Sequence, residues 1–138
     1  MKQTTMTEIA LDTNILIYNH FGNNEHKRTV AHELLTYCPI VSTQVVSEYL
    51  NVMKRLLRVP KVELLELCVQ WMNECRIQII EKSTINIAKR IVQRYDFQLF
   101  DAIIVAAALE VGCQILYSED MQHNMKIDRQ LTIINPFI

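Results

Sequence analysis

Short apolar segments alternate with longer amphipathic segments along most of the chain. The short segments predict strands over residues 8–11, 40–41, 77–80, 114–117 and 131–134. The longer segments repeat apolar residues every three or four positions and predict helices over residues 15–20, 25–37, 43–58, 61–75, 83–95 and 99–111. Ser42 or Thr43 is the expected cap of the third helix and Ser83 that of the fifth, and their inward stripes are expected to include Leu56 and Val92. Alternation of this kind is typical of an α/β sandwich with a mostly parallel sheet.

The segment from Leu99 to Gly112 is the most apolar of the predicted helices. Its single acid near the front, Asp101, lies at helical spacing from the apolar residues Ile104, Val105 and Ala108, so it shares their inward face. Gly112 is a typical residue at a helix C-terminus, and a strand and the acidic cluster Ser118-Glu119-Asp120 follow it.

Length and composition predict one globular domain over residues 1–138. Half of the 138 residues are hydrophobic and only two are glycine, which argues against a disordered or linker-rich chain. The formal net charge is −1, so any contact with nucleic acid must come from a local basic patch. Candidates for phosphate contacts on the predicted helices, each of which could equally be a solvated surface residue, are Lys54, Arg55, Arg58, Arg90 and Arg94.

The four cysteines form no CxxC pair, and we expect reduced thiols in the core at Cys38, Cys68, Cys75 and Cys113. No apolar run is long enough to cross a membrane and the N-terminal residues show no signal-peptide pattern, which predicts a cytoplasmic protein with no membrane partner.

Four acids occupy special places in the predicted fold. Asp12 ends the first strand and Asp120 follows the fourth, while Glu48 and Asp101 border the inward faces of two helices. Ligands of open parallel sheets bind at the carboxyl ends of the strands. If the helices pack on the sheet, all four carboxylates converge on one pocket.

Each acid also has a purely structural interpretation. Asp12 could cap the following helix, and Asp101 could be a first-turn acid favoured by the helix dipole. Glu48 could be a solvated helix residue, and Asp120 could belong to a turn. The functional interpretation therefore depends on the joint placement of the four.

Converging carboxylates raise one another's pKa values unless a cation lies between them. Oxygen ligands without an accompanying His or Cys suit Mg²⁺ or Mn²⁺. Ions of this kind hold a phosphodiester and stabilise its leaving oxygen, which is the chemistry of a metal-dependent nuclease.

Four motifs in this sequence resemble those of PIN-domain ribonucleases, such as the toxins of bacterial toxin–antitoxin pairs. They appear in the family's order and extend over nearly the whole chain. The matching segments are residues 11–18, 42–52, 100–108 and 115–120, together with the late segment 132–137.

The resemblance implies a three-layer α/β/α sandwich and Mg²⁺- or Mn²⁺-dependent hydrolysis of RNA. By motif position, the metal-binding and catalytic acids of the family fall on Asp12, Glu48, Asp101 and Asp120. Asn14 and Ser118 match the supporting polar residues, whereas Glu119 matches no assigned position. The family also implies a homodimer and a small antitoxin partner that inserts side chains into the acidic groove.

Two other functions compete with the nuclease. A catalytically silent PIN-like module would bind RNA or a protein without cleaving, although the presence of all four acids disfavours it. A phosphoacceptor receiver domain would need a second acid beside Asp12, and Asp12-Thr13-Asn14 provides none. The four histidines, His123 among them, show no metal-binding spacing, and a place at the edge of the site is the most that His123 suggests.

Overall fold

The computed structural model describes residues 7–138, which form six helices and six strands. In these residues the strands are β1 (Ile9–Leu11), β2 (Ile40–Ser42), β3 (Arg76–Gln78), β4 (Ile115–Tyr117), β5 (Lys126–Ile127) and β6 (Leu131–Ile134). The helices are α1 (Thr13–His20), α2 (Glu25–Leu35), α3 (Thr43–Leu56), α4 (Lys61–Met72), α5 (Lys82–Tyr95) and α6 (Leu99–Glu110).

The strands form one sheet in the order β3-β2-β1-β4-β6-β5. All neighbouring pairs are parallel except β5 and β6, which form an antiparallel hairpin at the edge. From β1 the chain runs outward to β2 and β3 on one side, and β4 returns to the other side of β1. The order therefore reverses between β1 and β4, and a reversal of this kind opens a crevice at the carboxyl ends of the two strands.

Helices cover the sheet to form a three-layer α/β/α sandwich, as the resemblance implied, and α6 supplies the largest share of the core. Every residue of α6 from Ala102 to Leu109 is buried. The stripe of α3 that faces inward consists of Val45, Tyr49 and Met53. Leu116 and Ile133 on adjacent strands are fully buried, as expected of a parallel sheet covered on both faces.

Most predicted elements are present, with boundaries that differ by a few residues. Ser42 caps α3 by accepting a hydrogen bond from the Val45 N–H at 3.2 Å, and Gly112 ends α6 with a left-handed φ of 80°. β3 begins one residue earlier than predicted and ends at Gln78, which leaves Ile79 exposed. β5 was not predicted, because two residues are too few to show an alternating pattern.

The start of α5 differs from the sequence prediction, in which Ser83 was the cap. The helix begins at Lys82, and the hydroxyl of Thr84 accepts a hydrogen bond from the Glu81 N–H at 3.1 Å. Both Ser83 and Thr84 also donate hydrogen bonds to the carboxylate of Glu110 at the end of α6. Thr84 is fully buried and Ser83 is exposed, so Thr84 is the residue that fixes this helix end.

Two further predictions about the core need correction. Cys68 and Cys113 are buried, but Cys38 is exposed and has a left-handed φ of 50° after α2, so it is not a core residue. Leu56 and Val92, which were placed on inward stripes, lie at the solvent-exposed edges of their helices. All four cysteines are free thiols.

Among residues 7–138, no helix combines the length and the apolar character needed to cross a membrane.

The cap of α5 can be tested with a pair of neighbouring substitutions. We expect Thr84→Val to lower the free energy of unfolding by about 1–2 kcal/mol, since it removes a buried acceptor for the Glu81 N–H and a donor to Glu110. Ser83→Ala, at an exposed position, should change stability by less than about 0.5 kcal/mol. Urea unfolding of both variants measures the difference, and a larger loss for Ser83→Ala would contradict the assignment.

Candidate active site

Asp12 lies at the crevice between β1 and β4. Its backbone N–H donates to the carbonyl of Tyr117 on β4 at 2.9 Å, which fixes the end of β1 against its neighbour. Its side chain caps α1, with Oδ1 accepting from the Thr13 N–H at 2.7 Å. Oδ2 accepts from the hydroxyl of Ser118 at 2.7 Å. Asp12 is only 5% exposed, and the two hydrogen bonds orient both oxygens of its carboxylate.

The loop after β4 brings Asp120 to the same crevice. Asn14, on the first turn of α1, donates from Nδ2 to Asp120 Oδ2 at 3.0 Å and accepts from the Glu119 N–H at 3.3 Å. The hydroxyl of Ser118 accepts from the Met121 N–H at 3.1 Å while it donates to Asp12. Asn14 and Ser118 thus tie the loop to α1 and to the end of β1.

Glu48 on α3 and Asp101 on α6 face the crevice from the helix layer, and both are partly buried. Burial raises the pKa of Asp101, and the negative charge of Asp120 raises it further. Burial also raises the pKa of Glu48, with an added contribution from the charge of Asp101, while a hydrogen bond from Gln44 acts in the opposite direction. Asp101 therefore lies within electrostatic reach of both Glu48 and Asp120.

The pKa of Asp12 is strongly raised. Burial is the main cause, and it raises the pKa of Asp12 from 3.8 to about 6. The hydrogen bonds from Ser118 and Thr13 lower this pKa but do not offset burial, and the charges of Asp101 and Glu48 raise it. Each of the four acids therefore lies close enough to at least one other for their charges to interact. Roles as separate helix caps, turn residues or solvated surface residues would not require this proximity.

The donor set fits a hard divalent cation held partly by water. All four groups are carboxylates, and the hydroxyl of Thr13 beside them is buried and has no hydrogen-bond partner within residues 7–138. In the same residues, no group of three or more His, Cys, Asp or Glu side chains is arranged so that it could hold a metal ion by itself. Mg²⁺ commonly binds through one or two carboxylates and keeps several waters, so an open arrangement of this kind suits it.

Glu119 points away from the crevice into a cluster that the sequence did not reveal. Its Oε1 accepts from the hydroxyl of Tyr18 at 2.5 Å and its Oε2 pairs with the ammonium group of Lys27. Burial raises the pKa of Glu119, but the hydrogen bonds from Lys27 and Tyr18 outweigh it, so the pKa is lowered. Both oxygens are occupied, and Glu119 therefore anchors the loop that carries Asp120.

Tyr18 and Lys27 complete this cluster with Phe137 near the end of the chain. The rings of Tyr18 and Phe137 pack edge to face with centroids 5.3 Å apart, and the Lys27 ammonium lies 4.7 Å from the Tyr18 centroid. The only sequence signal for Tyr18 is its position one helical turn after Asn14. Nothing local marks Lys27, because its partner is 92 residues away.

The remaining candidates lie outside the crevice contacts. The ring of His123 accepts a hydrogen bond from the Asn135 N–H at 2.9 Å. Arg90 and Arg94 are paired with Asp128 at the β5–β6 turn. Lys54, Arg55 and Arg58 are exposed, and Arg58 has a left-handed φ of 53° just after α3.

Comparison with protein families shows a match to the PIN domain over residues 9–126, which is most of the chain. The chain belongs to the PIN domain family. The match extends from β1 to the start of β5, so it includes all four acids of the crevice. No curated protein gives a significant match.

Solved structures share this PIN fold at low sequence identity. A toxin–antitoxin complex from Klebsiella pneumoniae matches with a TM-score of 0.70 and 21% identity, over 94% of this chain and 98% of that chain. VapC20 from Mycobacterium tuberculosis, a toxin that cleaves the sarcin-ricin loop, matches with a TM-score of 0.65 and 18% identity over 82% and 90%. The DNA-bound VapBC complex from Salmonella typhimurium gives 0.69 and 16% over 93% and 97%.

The raised pKa of Asp12 predicts a pH-dependent gain of stability on its neutralisation. Above pH 6 the folded chain holds an ionised buried carboxylate that costs about 3 kcal/mol, and the cost disappears as pH falls through about 6 toward 3.8. Asp12→Asn keeps a good helix cap without the charge. We expect it to raise the free energy of unfolding by about 2–3 kcal/mol at pH 8 and by nearly nothing at pH 4.

Denaturant unfolding of the wild-type protein and of Asp12→Asn at the two pH values measures this difference. Glu33→Gln, which neutralises an exposed acid on α2, is the matched control and should leave stability within about 0.5 kcal/mol at both. A loss of stability in Asp12→Asn at pH 8 would mean that Asp12 acts mainly as an ionised cap.

Proposed function

We propose that this PIN domain is a metal-dependent endoribonuclease, the toxin of a toxin–antitoxin pair. The observation that carries the proposal is the convergence of Asp12, Glu48, Asp101 and Asp120 at the reversal point of the sheet, where their charges act on one another. The similarity of fold to VapC20, which cleaves RNA of the sarcin-ricin loop, supports RNA as the substrate.

In this proposal the four carboxylates surround Mg²⁺ or Mn²⁺, which would be bound directly by one or two of them and through water by the others. The bound ion would supply a Lewis acid that lowers the pKa of water and stabilises charge on the phosphodiester. Asp12 and Asp120 would contribute oriented oxygens, because Ser118, Thr13 and Asn14 fix their positions. Asp101 and Glu48 lie opposite on the helices, where burial raises the pKa values of both carboxyl groups above their ordinary values.

The polar residues around the acids would prepare this site in advance. Ser118 orients Asp12, and Asn14 orients Asp120 while it accepts a hydrogen bond from the adjacent backbone. Neither residue needs to touch the scissile phosphate. They limit the movement of the carboxylates, so that the ion and the RNA meet groups that need little reorganisation.

A small antitoxin would be the natural regulator of such a site. The similar structures from Klebsiella pneumoniae and Salmonella typhimurium are toxin–antitoxin complexes, which supports a partner of this class for the present chain. The acidic crevice is suited to a cationic side chain from the partner, because a positive charge there would relieve the repulsion among the carboxylates. We place the protein in the cytoplasm, where its RNA substrates are found.

We also propose a homodimer. Several large apolar side chains on the outer side of α5 and at the start of α6 are exposed, and a second copy of the chain would cover them. They are Ile85, Val92, Leu99 and Phe100, together with Ile79 after β3.

Catalysis is tested by incubating the purified protein with single-stranded RNA in Mn²⁺, Mg²⁺ or EDTA. We expect cleavage that needs the ion and that falls at least about 100-fold in Asp101→Asn, more than is typical for residues that only support metal ligands. Asp96→Asn, at the exposed left-handed end of α5, is the matched control and should retain activity. Binding of Mn²⁺ and RNA without cleavage would favour a catalytically silent binding module.

The neighbouring acids Asp120 and Glu119 separate metal binding from loop anchoring. We expect Asp120→Asn to weaken Mn²⁺ binding at least about tenfold in calorimetric titration. Glu119→Gln should weaken it less but should lower the melting temperature, because Lys27 loses its charged partner and Tyr18 loses a carboxylate acceptor. A larger loss of Mn²⁺ affinity in Glu119→Gln than in Asp120→Asn would reverse the two roles.

A further inference from the structure

A second charged cavity lies between the last turns of α5 and the β5–β6 hairpin, and we call it the basic pocket. Its volume is about 570 Å³. Its lining contains four cations and one carboxylate in an otherwise slightly acidic chain. The lining residues are Arg90, Arg94, Tyr95, Lys126, Asp128 and Arg129.

Asp128 organises one side of the basic pocket. Its Oδ2 lies 2.7 Å from Arg90 Nη1, and its Oδ1 lies 3.8 Å from Arg94 Nη1. The hydroxyl of Tyr95 donates to Asp128 Oδ1 at 3.2 Å and accepts from the Asp128 N–H at 3.0 Å. One carboxylate therefore holds two guanidinium groups at the rim, and both remain largely exposed.

The turn that displays Arg129 has an unusual backbone. Asp128 and Arg129 have φ values of 54° and 57°, and the turn is closed by a hydrogen bond from the Gln130 N–H to the Ile127 carbonyl at 3.0 Å. Ile127 pairs with Leu131, so three residues connect the strands, and tight turns whose two central residues both have positive φ favour glycine or asparagine there. An arginine there is strained, and strain of this kind tends to persist where the side chain has a function.

The other side of the basic pocket has no compensating charge. Lys126 and Arg129 form no ion pair with any residue in the range 7–138, and both are exposed. The five charged groups leave an excess of three positive charges around one cavity. Exposed cations without counter-ions attract phosphate groups, and guanidinium groups match phosphate oxygens in geometry.

We propose that the basic pocket binds backbone phosphates of the RNA strand whose scissile bond lies in the acidic crevice, an inference that rests on the proposed function. Four carboxylates repel a polyanion, so much of the affinity for RNA must come from cations elsewhere on the surface. The β5–β6 turn precedes β6 and therefore lies at the amino ends of the parallel strands, on the opposite edge of the sheet from Asp12 and Asp120, so an RNA strand that contacts both sites must extend over several nucleotides. Arg94 precedes Asp101 by seven residues, and a chain of that length spans at most about 25 Å.

The test measures binding of fluorescent single-stranded RNA by anisotropy in EDTA, over a series of salt concentrations, without cleavage. Arg129→Gly removes a cation and relaxes the turn, so it should keep or raise the melting temperature. We expect Arg129→Gly and Lys126→Gln each to weaken binding and to reduce the slope of log K against log salt by about 0.7, the value for one phosphate contact on a single strand.

Lys89→Gln is the matched control, because Lys89 is an exposed cation on α5 that does not line the basic pocket. Affinity and salt slopes for both pocket variants equal to those of Lys89→Gln would overturn the inference, even if the wild-type protein cleaves RNA. Weakened binding of duplex DNA with unchanged binding of RNA would also overturn it. Pocket-dependent RNA binding by a wild-type protein that never cleaves would support the pocket while refuting the nuclease.

Discussion

The candidate site depends on one buried carboxylate, that of Asp12. It stands where β1 ends and α1 begins, and it joins three parts of the fold through the Thr13 N–H, the Ser118 hydroxyl and the backbone bond to Tyr117. Burial destabilises the ionised form of this carboxylate, and the negative charges of Asp101 and Glu48 destabilise it further. The fold tolerates this because a large apolar core, centred on α6, supplies stability that the crevice does not.

The order of the strands explains why the acids meet. β1 and β4 are neighbours in the sheet, although more than 100 residues separate them in sequence. Glu48 and Asp101 come from helices that follow different strands. The site is therefore not contained in any short sequence motif. Asp12 and Asp120 lie near each other only because the strand order reverses between β1 and β4.

Features determined by local pattern could be predicted from the sequence, whereas features determined by distant contacts could not. The apolar periodicity of α6, and of α3 apart from Leu56, is local and was predicted correctly, and the sequence limited the cap of α3 to Ser42 or Thr43, of which Ser42 is the cap. The start of α5 was predicted wrongly because Thr84, and not Ser83, is buried by tertiary packing and accepts the hydrogen bond from the Glu81 N–H. The hydrogen bonds of Glu119 with Tyr18 and Lys27 join residues more than 90 positions apart, which only the folded sheet brings together, so no local pattern could predict them.

The two sides of the crevice, one with Asp12 and the other with the loop that carries Asp120, are held in place by different interactions. Asp12 directly follows the buried strand β1, and its amide, which donates to the Tyr117 carbonyl, should exchange with solvent only when the sheet itself opens. The loop with Asp120 is fastened instead by the part-exposed pair of Lys27 and Glu119, which salt weakens. The Asp12 side of the crevice is therefore expected to keep its position as ionic strength rises, whereas the Asp120 side depends in part on an ion pair that rising ionic strength weakens.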